Sequence, residues 1–200
     1  MKTTLKITLW LLLAAPFSIF CQKYQIGLSA GPALLYVVED AAEPLGYYYG
    51  IAYQNEFIFL NKDANPNFGF SLTSASTEQI FPNSYSSGII SNTSLTASKY
   101  FSTRWFNFLQ TGLELGAGLN YENMPGHHMG NSLMMNLQLG GRLQAEICKG
   151  FFIHAKGLVV GQDVANIIRG FSTGYWKTAG EDLHLLLLFG ISKSFGHREE

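Results

Sequence analysis

The sequence predicts an all-β fold, an eight-stranded antiparallel up-and-down transmembrane β-barrel, from three observations. First, 47% of the 200 residues are hydrophobic and only 14% are charged, where a water-soluble domain carries roughly 25% charge. Second, beyond residue 22 apolar residues recur with period two, the spacing that puts them all on one face of a strand. Third, the connections between these segments alternate short and long. The same composition excludes other classes. Thirteen Lys and Arg against 14 Asp and Glu leave no basic surface for nucleic acid, and two cysteines cannot staple a disulfide scaffold. The apolar fraction excludes a disordered chain.

The first residues read as an address. Lys2 and Lys6 flank the start of an apolar run from Ile7 through Phe20, broken only by Thr8, Pro16 and Ser18, the layout of a secretory signal peptide. Gln22, Lys23 and Gln25 end the run before it reaches the ~20 residues of a spanning helix. Residues 1–21 are therefore expected to be cleaved near Cys21/Gln22, leaving 22–200 as one barrel domain. Phe20 stands where a lipoprotein site wants a small residue. Removal takes two cations from a chain of net charge −1 and leaves Cys148 as the sole thiol, so no internal disulfide can form.

Eight segments follow. In 24–37, Tyr24, Ile26, Leu28, Ala30, Leu34 and Tyr36 alternate with Gln25, Gly27, Ser29 and Gly31. Segments 46–60 and 67–78 continue the pattern, and 88–102 is the weakest because Ser91 to Ser98 is polar on both faces. Segment 105–121 sets Trp105, Leu109, Leu113, Leu115, Ala117, Leu119 and Tyr121 against Gln110, Gly112, Glu114, Gly116, Gly118 and Asn120. In 131–147, Leu133, Met135, Leu137, Leu139, Leu143, Ala145 and Ile147 oppose Ser132, Asn136, Gln138, Arg142, Gln144 and Glu146. Segments 151–161 and 183–196 complete the set. All can supply the ~9–11 residues of a tilted spanning strand. Short links lie at Asn61–Pro66, Thr103–Arg104 and Cys148–Gly150, and long ones at 38–45, 79–87, 122–130 and 162–182. With both termini in the periplasm, the short links are periplasmic turns and the long ones extracellular loops.

Alternation also fits a soluble barrel with an apolar interior, and the polar face decides between the two. It carries mostly Gly, Ser, Asn and Gln rather than dense charge, which suits the lumen of a small barrel. The apolar face ends in aromatics. Tyr36, Tyr47, Tyr49 and Tyr121 fall at one end of the strands, and Phe57, Phe59, Phe68, Trp105, Phe151 and Phe195 at the other, as two interfacial girdles would. On this pattern the chain resembles the small eight-stranded outer-membrane barrels of the OmpA, OmpX and OmpW type of Gram-negative bacteria. Phe195 resembles their terminal aromatic, although Gly-His-Arg-Glu-Glu follows it. The resemblance implies an outer-membrane location and contact with outer-membrane lipids and lipopolysaccharide. It also implies biogenesis through periplasmic chaperones and the barrel-assembly machinery, and a monomer without cofactors.

The polar-facing ionisable residues, Glu114, Arg142, Glu146, His154, Lys156 and His184, with Glu56 and Lys99 less firmly placed, form an expected lumen charge network. Pairing about the Cys148–Gly150 turn sets Arg142 opposite Lys156 and Gln144 opposite His154, with Glu146 diagonal to His154. Adjacent cations repel, so a carboxylate is expected between them, and Glu114 is the candidate. Such a network plugs the lumen; a narrow channel for small solutes is the alternative.

Catalytic patterns fare worse. Some small outer-membrane barrels modify lipid A with a His-x-Ser-Asn element, but His128-Met129-Gly130-Asn131-Ser132 has the wrong order and spacing, and His154-Ala155-Lys156 fails too. No nucleophile, base and orienting group assemble, so no enzyme is expected. Met124, His127, His128 and Met129 are soft ligands by type but read as solvated loop residues, with no metal expected. Phe171, Tyr175 and Trp176, beside Arg169 and Lys177, extend the outer girdle towards lipopolysaccharide or mark a loop recognition surface.

Overall fold

The computed structural model describes residues 23–37, 46–61, 63–79, 89–106, 108–123, 131–162 and 182–196. They form β1 (Tyr24–Val37), β2 (Gly46–Leu60), β3 (Pro66–Gln79), β4 (Ile89–Arg104), β5 (Leu109–Asn123), β6 (Asn131–Cys148), β7 (Phe151–Gln162) and β8 (Asp182–Phe195). Each strand pairs antiparallel with the next, and β8 returns to pair with β1, so the sheet closes and no edge remains. Among the described residues no helix is long and apolar enough to cross a membrane. The expected signal peptide lies outside the described residues.

Seven strands begin or end within a few residues of the periodicity reading. The fifth differs. Trp105, Phe106 and Phe108 lie between β4 and β5, where Trp105 N donates to Leu109 O at 3.0 Å, so the turn is not Thr103–Arg104. Trp105 keeps the parity of Leu109 and Leu113 and thereby imitates a continuation of the strand. At the β6–β7 turn Gly150 takes φ 73°, where a Cβ is disfavoured. The register there sets Arg142 opposite Lys156 and Gln144 opposite His154, as expected from the turn.

The barrel is apolar outside. Leu133 is 69% exposed and Leu139 53%, while Gln138 and Arg142 on the opposite parity of the same strand are buried. Ten girdle aromatics expected on this face, from Tyr36 to Phe195, are exposed or half-buried. At the short-turn end several stack: Tyr24 lies against Phe57 at 5.3 Å and against Phe195 at 5.2 Å between centroids.

The interior is layered rather than uniformly polar. Ile58, Leu60 and Tyr100 cluster towards the short turns, and Leu35, Tyr48 and Ile90 towards the long connections. Between them Leu158, Val160, Leu186 and Leu188 pack with Ala33, Ala52 and Ala75. Mid-barrel stretches of β7 and β8 are thus apolar on both faces, contrary to the expectation of a polar lumen throughout. The alanines of β1 to β3 leave the volume that these larger side chains fill.

Candidate functional site: ion pairs across the lumen

Between the two lower apolar layers lies a cluster of buried charge. Glu56 on β2 points inward because its neighbours Phe57 and Asn55 take the outward parity. Its Oε2 accepts from Arg142 Nη1 on β6 at 2.9 Å, and its Oε1 accepts from Lys156 Nζ on β7 at 2.5 Å. Lys156 Nζ also lies 2.8 Å from Glu114 Oε2 on β5 and donates to Gln54 Oε1 at 2.9 Å. Glu114 Oε1 accepts from Gln138 Nε2 at 2.6 Å. The Tyr100 hydroxyl stands 3.4 Å from both carboxylates, and His154 Nε2 lies 3.7 Å from Glu56 Oε2.

Strands β2 and β6 are four places apart in a ring of eight. The Glu56–Arg142 bond therefore spans the lumen along a diameter. Two carboxylates face two cations, and both Glu114 and Lys156 are 0% exposed. Such a group is tolerable in a low-dielectric interior because its charges cancel and most of its carboxylate oxygens accept hydrogen bonds. The cavity beside Arg142 and Gln144 has ≈ 10 Å³, room for about one water.

No family profile and no curated protein matches the chain. Solved structures do. Neisserial surface protein A superposes with a TM-score of 0.56 at 11% identity, over 86% of this chain and 97% of that one. Ail, the attachment invasion locus protein of Yersinia pestis, gives 0.44 at 18% identity over 86% and 98%. The N-terminal β-barrel domain of Pseudomonas aeruginosa OprF gives 0.43 at 17% identity over 87% and 98%. The chain has the fold of the small eight-stranded outer-membrane barrels.

Within this barrel the expected charge network divides. Glu114, Arg142, His154 and Lys156 come together, but the carboxylate that bridges both cations is Glu56, not Glu114. Glu146 is absent from the cluster: its Oε1 accepts the Gly150 N–H at 2.8 Å and closes the β6–β7 turn. His184 belongs to a separate polar layer, 2.8 Å from Gln162 Nε2, where Asn120 Nδ2 also donates to Asn92 Oδ1 at 2.9 Å. Lys99 lies on the outward face and meets Asn67. Phe171, Tyr175, Trp176 and the Met124–Met129 group lie outside the described residues.

A further pattern went unread in the sequence. Four of the buried ionisable side chains have a glycine as a cross-strand partner: Gly27 beside Glu56, Gly140 beside Glu114, Gly112 beside Arg142 and Gly190 beside His154. At Gly190 an added Cβ would lie 2.1 Å from Leu28 O and 2.7 Å from His154 Nε2. At Gly27, where a Cβ would lie 3.2 Å from Glu56 Oε2, and at Gly190 the missing side chain leaves room for the ionisable group opposite.

Proposed function

We propose that this chain is a non-enzymatic outer-membrane barrel of a Gram-negative bacterium, exported by its signal peptide. As a monomer it presents its long connections at the cell surface and keeps its lumen closed. The observation that carries the reading is the Glu56–Arg142 bond across the diameter, reinforced by Lys156 and Glu114. Ions held by one another and by surrounding amides leave no aqueous path at that level, whereas a pore needs a hydrated constriction. The apolar exterior supports the bilayer placement, because a closed barrel satisfies its backbone hydrogen bonds without water.

Surface recognition then falls to the loops, with 79–87 and 162–182 as the segments to test and Phe171, Tyr175 and Trp176 as the aromatic contacts. Purified protein in planar bilayers should be electrically silent; a steady ionic conductance would replace this reading with the channel. Overexpression should leave the lipid A mass spectrum unchanged, and a deacylated or otherwise altered species would replace it with an enzyme. On intact cells protease should cut within 79–87 or 162–182 and leave the barrel core folded.

A further inference from the structure

We propose that the short-turn mouth of the barrel is a binding site for phosphate esters. A cavity of ≈ 430 Å³ opens there. Among its described lining residues Lys23, Arg104, Lys149 and Lys193 bring four cations against one carboxylate, Glu146. The central cluster, by contrast, is balanced two against two. The excess at the mouth stands out further in a chain with 13 basic and 14 acidic residues.

The geometry converges on the cavity. Lys193 lies on the outward parity of β8, paired with Ile26, yet its Nζ turns back to donate to Lys149 O at 3.2 Å and sits 3.8 Å over the Phe151 ring. A long stem that follows apolar surface while its ammonium seeks the polar rim is the usual behaviour of lysine at such a boundary. Arg104, inward at the end of β4, has Nη2 2.6 Å from the Gln110 amide, which fixes its guanidinium near the rim. Lys23 precedes β1 and Lys149 stands in the β6–β7 turn. Leu60 and Phe152, both buried, form an apolar floor.

Cations around a concave, low-dielectric cleft focus a positive potential into it. They arrive from four separate elements, which suits a tetrahedral anion with oxygens in several directions better than a planar carboxylate gripped from one side. The same chemistry is offered by a phospholipid headgroup at the rim and by a free phosphate ester in the surrounding compartment. The binding chemistry does not depend on the lumen being closed, so conductance in bilayers and binding at the mouth fail independently.

The test uses the full mature chain. In neutral detergent micelles it is titrated calorimetrically with inorganic phosphate. In parallel it is placed in phosphatidylcholine nanodiscs with or without phosphatidylglycerol, and retained lipid is counted by native mass spectrometry. Saturable binding that weakens with salt is expected in at least one arm. R104Q/K149Q should weaken it tenfold or more with heat-modifiable gel mobility unchanged, and E146Q should tighten it severalfold. Binding in the phosphate arm identifies a soluble ligand, and selective retention of phosphatidylglycerol alone identifies a headgroup. No saturable binding in either arm, or binding that R104Q/K149Q leaves intact, overturns the proposal.

Discussion

Glu56 is the residue on which the interior depends. It holds Arg142 at 2.9 Å and Lys156 at 2.5 Å, and all three side chains are buried. Glu56→Ala leaves two buried cations facing one carboxylate, and removing one partner of a buried pair costs about 3–5 kcal/mol. A urea titration of the folded, heat-modifiable form should show that loss. Arg142→Met in the Glu56→Met background should recover much of it, because the neutral pair leaves no orphan charge; a double variant no more stable than Glu56→Ala would contradict this. Gly190→Ala probes the same layer sterically. Its Cβ would meet the Leu28 carbonyl at 2.1 Å, so the folded fraction after refolding should fall sharply, against overpacking costs of about 1–3 kcal/mol where neighbours can yield. The pairing of Arg142 with Lys156 is legible in the sequence because pairing about the Cys148–Gly150 turn gives that register, which the strands reach through an irregularity between Glu146 and Cys148. The role of Glu56 is not, since its distance from Arg142 depends on the whole sheet closing, which no local pattern encodes.

At the scale of the strand, parity determines what each side chain touches. In β6 Leu133, Met135, Leu137, Leu139, Leu143 and Ile147 share the outward parity and are exposed, while Asn136, Gln138, Arg142 and Gln144 are buried. Leu139→Arg would place a charge on the lipid-facing surface near mid-strand, and a depth-dependent cost of about 2–4 kcal/mol is expected there. The neighbouring inward change Gln138→Asn should cost much less. Folding titrations into lipid vesicles compare the two, and equal losses would contradict the assignment of faces. Strand parity was readable because period two leaves no ambiguity over 14 or more residues in most of these strands. The β4–β5 turn was not, because Trp105 keeps the parity of Leu109 and Leu113 and so carries the apolar alternation back through the turn in which Phe106 and Phe108 stack at 5.9 Å. Nor was the inward apolar layer of β7 and β8 legible. Leu158 and Leu188 obey parity but not polarity, and only the closed barrel shows the alanines that receive them.

For the molecule as a whole, closure explains both surfaces at once. Joining β8 to β1 removes the last free edge, which permits an exterior of Leu, Ile and Phe to face hydrocarbon. It also brings β2 within reach of β6 and β7, so that the lumen is tied across by ion pairs. Apolar layers flank the Glu56–Arg142–Lys156–Glu114 cluster on either side. Trp105, 65% exposed in a short turn, should be quenched by lipids brominated near the headgroup and spared by those brominated near the chain end.

The central claim is that oil touches one parity of these strands and the lumen holds the other. Nitroxide labels placed singly from 135 to 143, in a Cys148→Ser background to remove the exposed native thiol, measure it directly through collision with oxygen and with a water-soluble nickel chelate. In lipid vesicles, oxygen accessibility should peak at 135, 137, 139, 141 and 143 and fall at the positions between. The reverse phase, with oxygen excluded from the leucine positions and the nickel reagent reaching Gln138 and Arg142 from outside, would contradict the account.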